Sequence, residues 1–312
     1  MVLAPMSGVT DLPFRELAWK WGAGLVVTEM IASRELAMSR GESWARLKRA
    51  GLGPHMVQLA GREPHWMAEA ARIAADNGAD IIDINMGCPA KKVTGGYSGS
   101  ALMRDPDLAL SLIEATVTAV DVPVTLKMRL GWDENSINAP EIARRAQDAG
   151  IQLVTIHGRT RMQFYEGRAD WSAIRQVRET ISVPLIANGD VQSEVDACEI
   201  LERSGADAVM LGRGAQGRPW HVGAIAGHPA PSRDMQLDIA IEHYEAMLGF
   251  YGREAGLRHA RKHLGWYLDR LAPDVSGEDK AAIFRSVDPQ DVIRRMMQAL
   301  GAARDAPERK AA

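Results

Sequence analysis

Cys88 lies between Gly87 and Pro89 just past an apolar run. From such a loop a thiol can act as an acid, a base or a nucleophile. Cys198 falls among Val195, Ile200 and Leu201 in a helical stretch, where a buried, inert thiol is expected. Lys127 and His157 sit in two further apolar runs. Such donors suit a ring that gathers negative charge, as a flavin does near N1 and O2 on reduction. Lys127 has an alternative, an ion pair with Asp83 or Glu29. Gln58 can hydrogen-bond a flavin edge. Asn188-Gly189-Asp190 and Gly212-Arg213-Gly214 offer backbone N–H groups and one guanidinium to an anion, although a Gly-Arg-Gly turn alone is a weak signal.

Eight short apolar runs carry these residues: 1–5, 25–30, 55–61, 81–89, 123–131, 153–159, 183–190 and 208–214. Several lack strict alternation, as parallel strands buried on both faces do. The segments between them read as helices. Asp105-Pro106 is an N-cap followed by Pro at the first helical position, and Ser193 with Asp196 resembles a capping box opening a helix over 194–203. Gly22, Gly78, Gly150 and Gly205 each follow a helix and lead into a strand. The pattern predicts an α/β fold, a (β/α)8 TIM barrel over 1–227, with its chemistry at the C-terminal ends of the strands. A doubly wound open sheet is the alternative, but no G-x-G-x-x-G turn follows the first strand. After the Pro-rich joint at 228–232, helices are expected over 235–252, 257–271 and 277–300, forming a small helical domain over 233–303, with a flexible tail over 304–312. The Gly-rich, basic stretch 91–100 reads either as a mobile lid or as a plain solvated loop.

Of 312 residues, 46% are apolar and 25% charged, which excludes a disordered, collagenous or wholly coiled-coil chain. No run is long and apolar enough for a transmembrane helix, and the first residues lack the features of a secretory signal. Two cysteines build no disulfide framework, which with the missing export signal points to a reducing cytoplasm; a monomer without a metal is also expected. A net charge of −3 excludes a uniformly basic protein but not a local basic patch.

Ala4-Pro-Met-Ser-Gly-Val-Thr-Asp11, Asp83-Ile-Asn-Met-Gly-Cys-Pro-Ala-Lys91, Lys127-Met-Arg-Leu-Gly131, His157-Gly-Arg-Thr160, Asn188-Gly-Asp190 and Leu211-Gly-Arg-Gly214 run in this order over residues 1 to about 220. In this the chain resembles the tRNA-dihydrouridine synthases, and most nearly their bacterial B-type branch, once described as nitrogen-regulation proteins. The resemblance implies an FMN-bound barrel that reduces uridine in tRNA with NADPH, or NADH, as reductant. It implies Cys88 as catalytic acid, and Pro5, Met6, Gln58, Lys127, His157, Asn188, Gly189, Asp190, Gly212 and Arg213 around the cofactor. Asn85 falls where the family contacts uracil, and Tyr165 and Arg168 fall in the loop expected to contact the base. The helical tail matches the family's tRNA-binding domain in position and size. There Arg258, Arg261 and Lys262 share one helical turn, and Lys91, Lys92, Arg294 and Arg295 could extend the patch. A solvated basic helix face is the bland alternative for each cluster. Two features depart from the family. The chain starts almost on its first strand, so either part of the barrel-bottom plug is missing or the native start lies upstream of Met1. Tyr97 stands where a smaller lid residue is commoner.

Three rival functions remain open at this point. An FMN barrel acting on a free pyrimidine, as dihydroorotate dehydrogenase does, shares the barrel and the flavin lysine but not the helical tail. A non-catalytic RNA-binding regulator would have no need of Cys88, Lys127 and His157. A flavin-free phosphosugar barrel leaves Cys88 and Gln58 unexplained.

Overall fold

The structure, a computed structural model, describes residues 1–39, 41–51 and 53–302, with the side chain of Ala302 excepted. The tail expected over 304–312 lies outside the described residues. Its strands are β1 (Val2–Leu3), β2 (Leu25–Val26), β3 (Ile31–Ala32), β4 (Met56–Ala60), β5 (Ile81–Met86), β6 (Val124–Arg129), β7 (Val154–His157), β8 (Leu185–Asn188) and β9 (Ala208–Leu211). They form one parallel sheet in the order β2-β1-β9-β8-β7-β6-β5-β4-β3.

The single strand expected over 25–30 is divided. β2 pairs with β1 and β3 pairs with β4, so the two are ends of one stave. Between them Val27 bridges Met56, and the Thr28 N–H donates to the Met56 carbonyl at 3.1 Å. Glu29 lies outside the ladder, and its carboxylate accepts from the Gly8 N–H. The sheet thereby closes into a (β/α)8 barrel. Val2, Val27, Met56, Ile186 and Met210 pack one apolar cluster, while Leu59, Ile84, Leu126 and Leu185 pack a larger one with helix residues such as Ala70, Leu112 and Ile174. Burial on both faces is why these strands do not alternate.

The expected helix ends are present. Asp105 accepts from the Leu108 N–H at 3.0 Å, Ser193 and Asp196 complete a capping box, and Gly205 takes the left-handed conformation, φ 67°, just past its helix. The stretch 91–100 is not a plain loop. Lys91–Thr94 forms a helical turn, and a 3-10 helix, Gly99–Arg104, follows.

After the joint come the helices Arg233–Tyr251, Arg253–Leu271, Gly277–Arg285 and Pro289–Ala302. The single helix expected over 277–300 breaks at 286–288, because the residue before a proline is pushed out of helical conformation and Pro289 restarts a helix. This tail has its own core, including Tyr244, Leu264 and Tyr267, into which Leu17 and Trp220 also pack. Among the described residues no helix is long and apolar enough to cross a membrane.

Candidate active site at the barrel mouth

Strand register sets the polar residues side by side. Gln58 is level with Asp83, Asn85 with Lys127, Arg129 with His157, and His157 with Asn188. All of these except Asp83, which is buried beneath, surround a cavity of about 410 Å³ at the C-terminal ends of the strands, lined also by Pro5, Met6, Cys88, Tyr165, Gly189, Asp190, Gly212 and Arg213. The structure thus brings together every residue the resemblance placed around the cofactor, with Cys88 and two of the expected substrate contacts.

The floor is a hydrogen-bonded chain. Asp83 accepts from Thr125 Oγ1 at 2.6 Å and from Gln58 Nε2 at 2.7 Å. Gln58 Oε1 accepts from Asn85 Nδ2 at 2.7 Å, and Asn85 Oδ1 accepts from the Cys88 N–H at 3.0 Å and the Gly87 N–H at 3.2 Å. The Asn85 amide ties Gln58 to the loop that carries Cys88, and one of its N–H donors is left over for the expected contact with the base. On the far side of that loop, Ser100 bonds the Cys88 carbonyl through its N–H at 3.1 Å and its hydroxyl at 2.9 Å. Burial pushes the Cys88 thiol above its ordinary value, so it stays protonated at neutral pH.

Lys127 does not pair with Asp83 or Glu29. Its Nζ reaches Asn188 Oδ1 at 3.3 Å, leaving further donors for the cavity. Burial, with Arg129 adding to it, pulls its pKa down to about 8. His157 is held well below the usual histidine value, by burial first and then by Arg129 and Lys127, so its ring is neutral. Asp83 is raised by burial.

Gly189 has φ 131°, and a Cβ there would lie 2.6 Å from the Ala169 Cβ; at Gly212 a Cβ would find only contacts at 3.8 Å. Packing therefore demands the first glycine, while the second leaves its backbone open to a ligand. Among the described residues the N–H groups of Gly189, Gly212 and Arg213 have no protein acceptor. Asp190, expected beside the cofactor, lines the cavity. Its carboxylate accepts from the Arg159 guanidinium at 2.8 and 2.6 Å and from the Ala169 N–H at 2.8 Å, so it braces the cradle. These donors fit a flavin phosphate at Gly212 and Arg213 and an electron-rich ring edge beside Lys127 and His157.

The other expected substrate contacts are scattered. Tyr165 lines the cavity with Arg213 4.9 Å and Arg129 5.5 Å from its ring centre. Arg168 and Lys91 are exposed and outside the lining. Arg258 and Arg261 are exposed on the helix Arg253–Leu271, whereas Lys262 is half-buried, its Nζ 3.2 Å from where a Gly8 Cβ would stand. Part of the patch therefore touches the β1 loop at the mouth. Arg294 and Arg295 both pair with Asp291 and extend it little. Cys198 is exposed, contrary to expectation. Its helix turns Ala197, Ile200 and Ser204 inward, and the next position along faces outward.

Arg129 lies within the Lys127–Gly131 motif, and the sequence assigns it no role. It is buried, and it bonds the Gly87 carbonyl at 2.9 Å, Thr160 at 2.7 Å and Phe164 at 2.8 Å, tying the β5 and β7 loops together. The available signal was its position two residues after Lys127, on the same strand face. Among the described residues no group of three or more His, Cys, Asp or Glu could hold a metal.

The pattern of the family described as "Dihydrouridine synthase (Dus)" matches residues 2–301. A "Probable tRNA-dihydrouridine synthase" of Rhizobium leguminosarum bv. phaseoli is 75% identical over 97% of this chain and 95% of its own length. Another so named, of Rhodobacter capsulatus, is 57% identical over 93% and 91%. A "tRNA-dihydrouridine synthase B" of Xanthomonas campestris pv. campestris is 51% identical over 93% and 89%.

Proposed function

The chain belongs to the dihydrouridine synthase family, and from that membership and the geometry of the mouth we propose that it reduces the C5–C6 double bond of uridine in tRNA, with FMN bound and NADPH or NADH as reductant. The observation that carries this reading is the placement of a protonated thiol, Cys88, at the same cavity as Lys127, His157 and the Gly212–Arg213 backbone.

The flavin, when bound, supplies hydride to the electron-poor C6 of uracil. Lys127 and neutral His157 hold the charge that the ring edge carries before transfer. Cys88 gives its proton to C5 as negative charge builds there, and solvent reprotonates the thiolate. Hydride and proton together account for the two added hydrogens. The chain Asp83–Gln58–Asn85 fixes the Cys88 loop, so the thiol meets C5 without reorganisation. The base has to leave its stack to enter the cavity, at a cost of a few kcal/mol. Binding elsewhere on the tRNA offsets it, and the exposed Arg258 and Arg261 are the donors we assign to phosphate contacts. The protein works in the cytoplasm on this reading.

The test maps dihydrouridine in tRNA from a deletion strain with and without this gene, and identifies the flavin released on denaturation. Restored dihydrouridine and FMN are expected; no restoration, or a protein that cannot be loaded with FMN, overturns the reading. Arg258→Glu with Arg261→Glu is expected to keep bound flavin and to lower the salt slope of tRNA binding by about one per residue.

A further inference from the structure

Arg104, Trp132 and Arg161 come from three successive loops of the catalytic face, after β5, β6 and β7. The two guanidinium carbons each lie 4.8 Å from the Trp132 ring centre. One indole thus gathers two like charges that would otherwise separate. Among the described residues neither arginine has a carboxylate within ion-pair distance. Among the described residues the Arg161 side chain donates only to the Met162 sulfur, and its buried Nε has no partner. Asp133, next along the chain from Trp132, accepts within its own turn, through Oδ1 from Ser136 Oγ at 2.8 Å and from the Asn135 N–H at 3.0 Å.

The loops are fastened to one another. The Arg161 N–H donates to the Gly131 carbonyl at 3.0 Å, the Met162 N–H to the Trp132 carbonyl at 2.8 Å, and Asn138 Nδ2 to the Met103 carbonyl at 2.7 Å. The charges are thus held in place before any ligand arrives, which lowers the cost of binding. Their position in the ring matters too. Lys262 of the tail lies against Gly8, in the loop after β1, and in an eight-stave barrel the loop after β6 stands diametrically across from it.

We propose that Arg104 and Arg161, spaced by Trp132, form a phosphate-binding site that grips the RNA backbone on the side of the mouth opposite the helical tail. The proposal rests on the reading of this protein as a tRNA reductase. It explains how a base could be drawn down between two footings, with the tail on one side and this pair on the other.

The test titrates holoenzyme with unmodified tRNA over a salt series, as parent, as Arg104→Gln with Arg161→Gln, and as Arg104→Lys with Arg161→Lys. The Gln pair is expected to bind several-fold more weakly, with the slope of log K on log salt reduced by about one per residue, while bound flavin is unchanged. The Lys pair keeps the charge and is expected to keep the slope. Unchanged affinity and slope in the Gln pair overturns the proposal. So does a Lys pair with the reduced slope of the Gln pair, since charge would then not be the agent. If the Gln pair does not fold, the exposed single change Arg104→Gln is read in the same way, with a loss of about one in slope expected and no loss overturning the proposal. A parent that binds tRNA and forms dihydrouridine while the Gln pair matches it refutes this site alone. A parent that does neither refutes the tRNA reading and this site with it.

Discussion

At the barrel mouth, Asp83, Gln58, Asn85 and Thr125 are buried and bonded to one another, and Lys127 among them keeps spare donors turned to the cavity. At the joint between barrel and tail the ionisable groups are buried among rings. His243 stands edge-on to Phe14, with centroids 5.6 Å apart, and 4.7 Å from His263; its Nδ1 meets the Tyr267 hydroxyl at 3.1 Å and its Nε2 has no partner. Burial pushes His243 down to about 3, so it packs as a neutral ring. Both regions bury polarity, but only the mouth arranges it around a space. A perturbed pKa therefore marks function where donors converge on a cavity, and packing where they do not.

The largest effect that sharpens this contrast is expected at Cys88. Cys88→Ala should leave folding and flavin content intact, because the thiol belongs neither to the core nor to the phosphate cradle. Reoxidation of reduced flavin by tRNA should slow by roughly two to four orders of magnitude, the usual span for a lost general acid. The thiol is raised by burial, so the parent rate should stay level through neutral pH and fall only as pH climbs past that raised value. Single-turnover reoxidation of anaerobically reduced enzyme checks both. A variant as fast as the parent would move the acid to another rim donor, and Tyr165, which lines the cavity, precedes Arg168, which does not.

The joint should answer in stability. Asp11 caps its helix by accepting from the Phe14 N–H at 3.1 Å, and it accepts from the Tyr251 hydroxyl at 2.9 Å. Burial pushes its pKa up to about 6. A carboxyl raised on folding favours the native state fully below its unfolded value, and that contribution is lost as pH rises through the folded value. Asp11→Asn keeps an N-cap and cannot ionise. At pH 7.5 it should be more stable than the parent by about 1–3 kcal/mol, with the advantage fading toward pH 4. Denaturant unfolding at the two pH values measures this, and a difference that does not change with pH would refute it.

What could be read from the sequence divides along the same line. Asp105, the Ser193–Asp196 box and Gly205 were legible because a cap is decided within a few residues. The mouth residues were legible because each strand delivers its polar end to one rim. Contacts between distant segments were not. Nothing local shows that Glu29 accepts from Gly8, that Asn85 donates to Gln58, or that Lys262 reaches the β1 loop. The joint's Tyr251–Asp11 bond spans 240 positions and leaves no periodic trace.

The smallest expected effect belongs to the second cysteine, and it tests whether residue type or helix face decides burial. An apolar neighbourhood in sequence predicts a buried Cys198. The helix Glu194–Ser204 says otherwise, because Ala197, Ile200 and Ser204 follow one another at spacings of three and four and claim the inner face. Cys198 stands one residue, about 100° of rotation, from Ala197. Val195 on the same helix is 75% exposed despite its apolar side chain, as this geometry requires. Cys198→Ser should therefore change stability by no more than about 0.5 kcal/mol, the range of ordinary surface substitutions. Thiol labelling of the native protein should modify Cys198 quickly and Cys88 slowly, since Cys88 is half-buried and its thiolate disfavoured. A Cys198→Ser variant destabilised by several kcal/mol, or a native Cys198 that resists labelling, would return this residue to the core and overturn the assignment of the helix face.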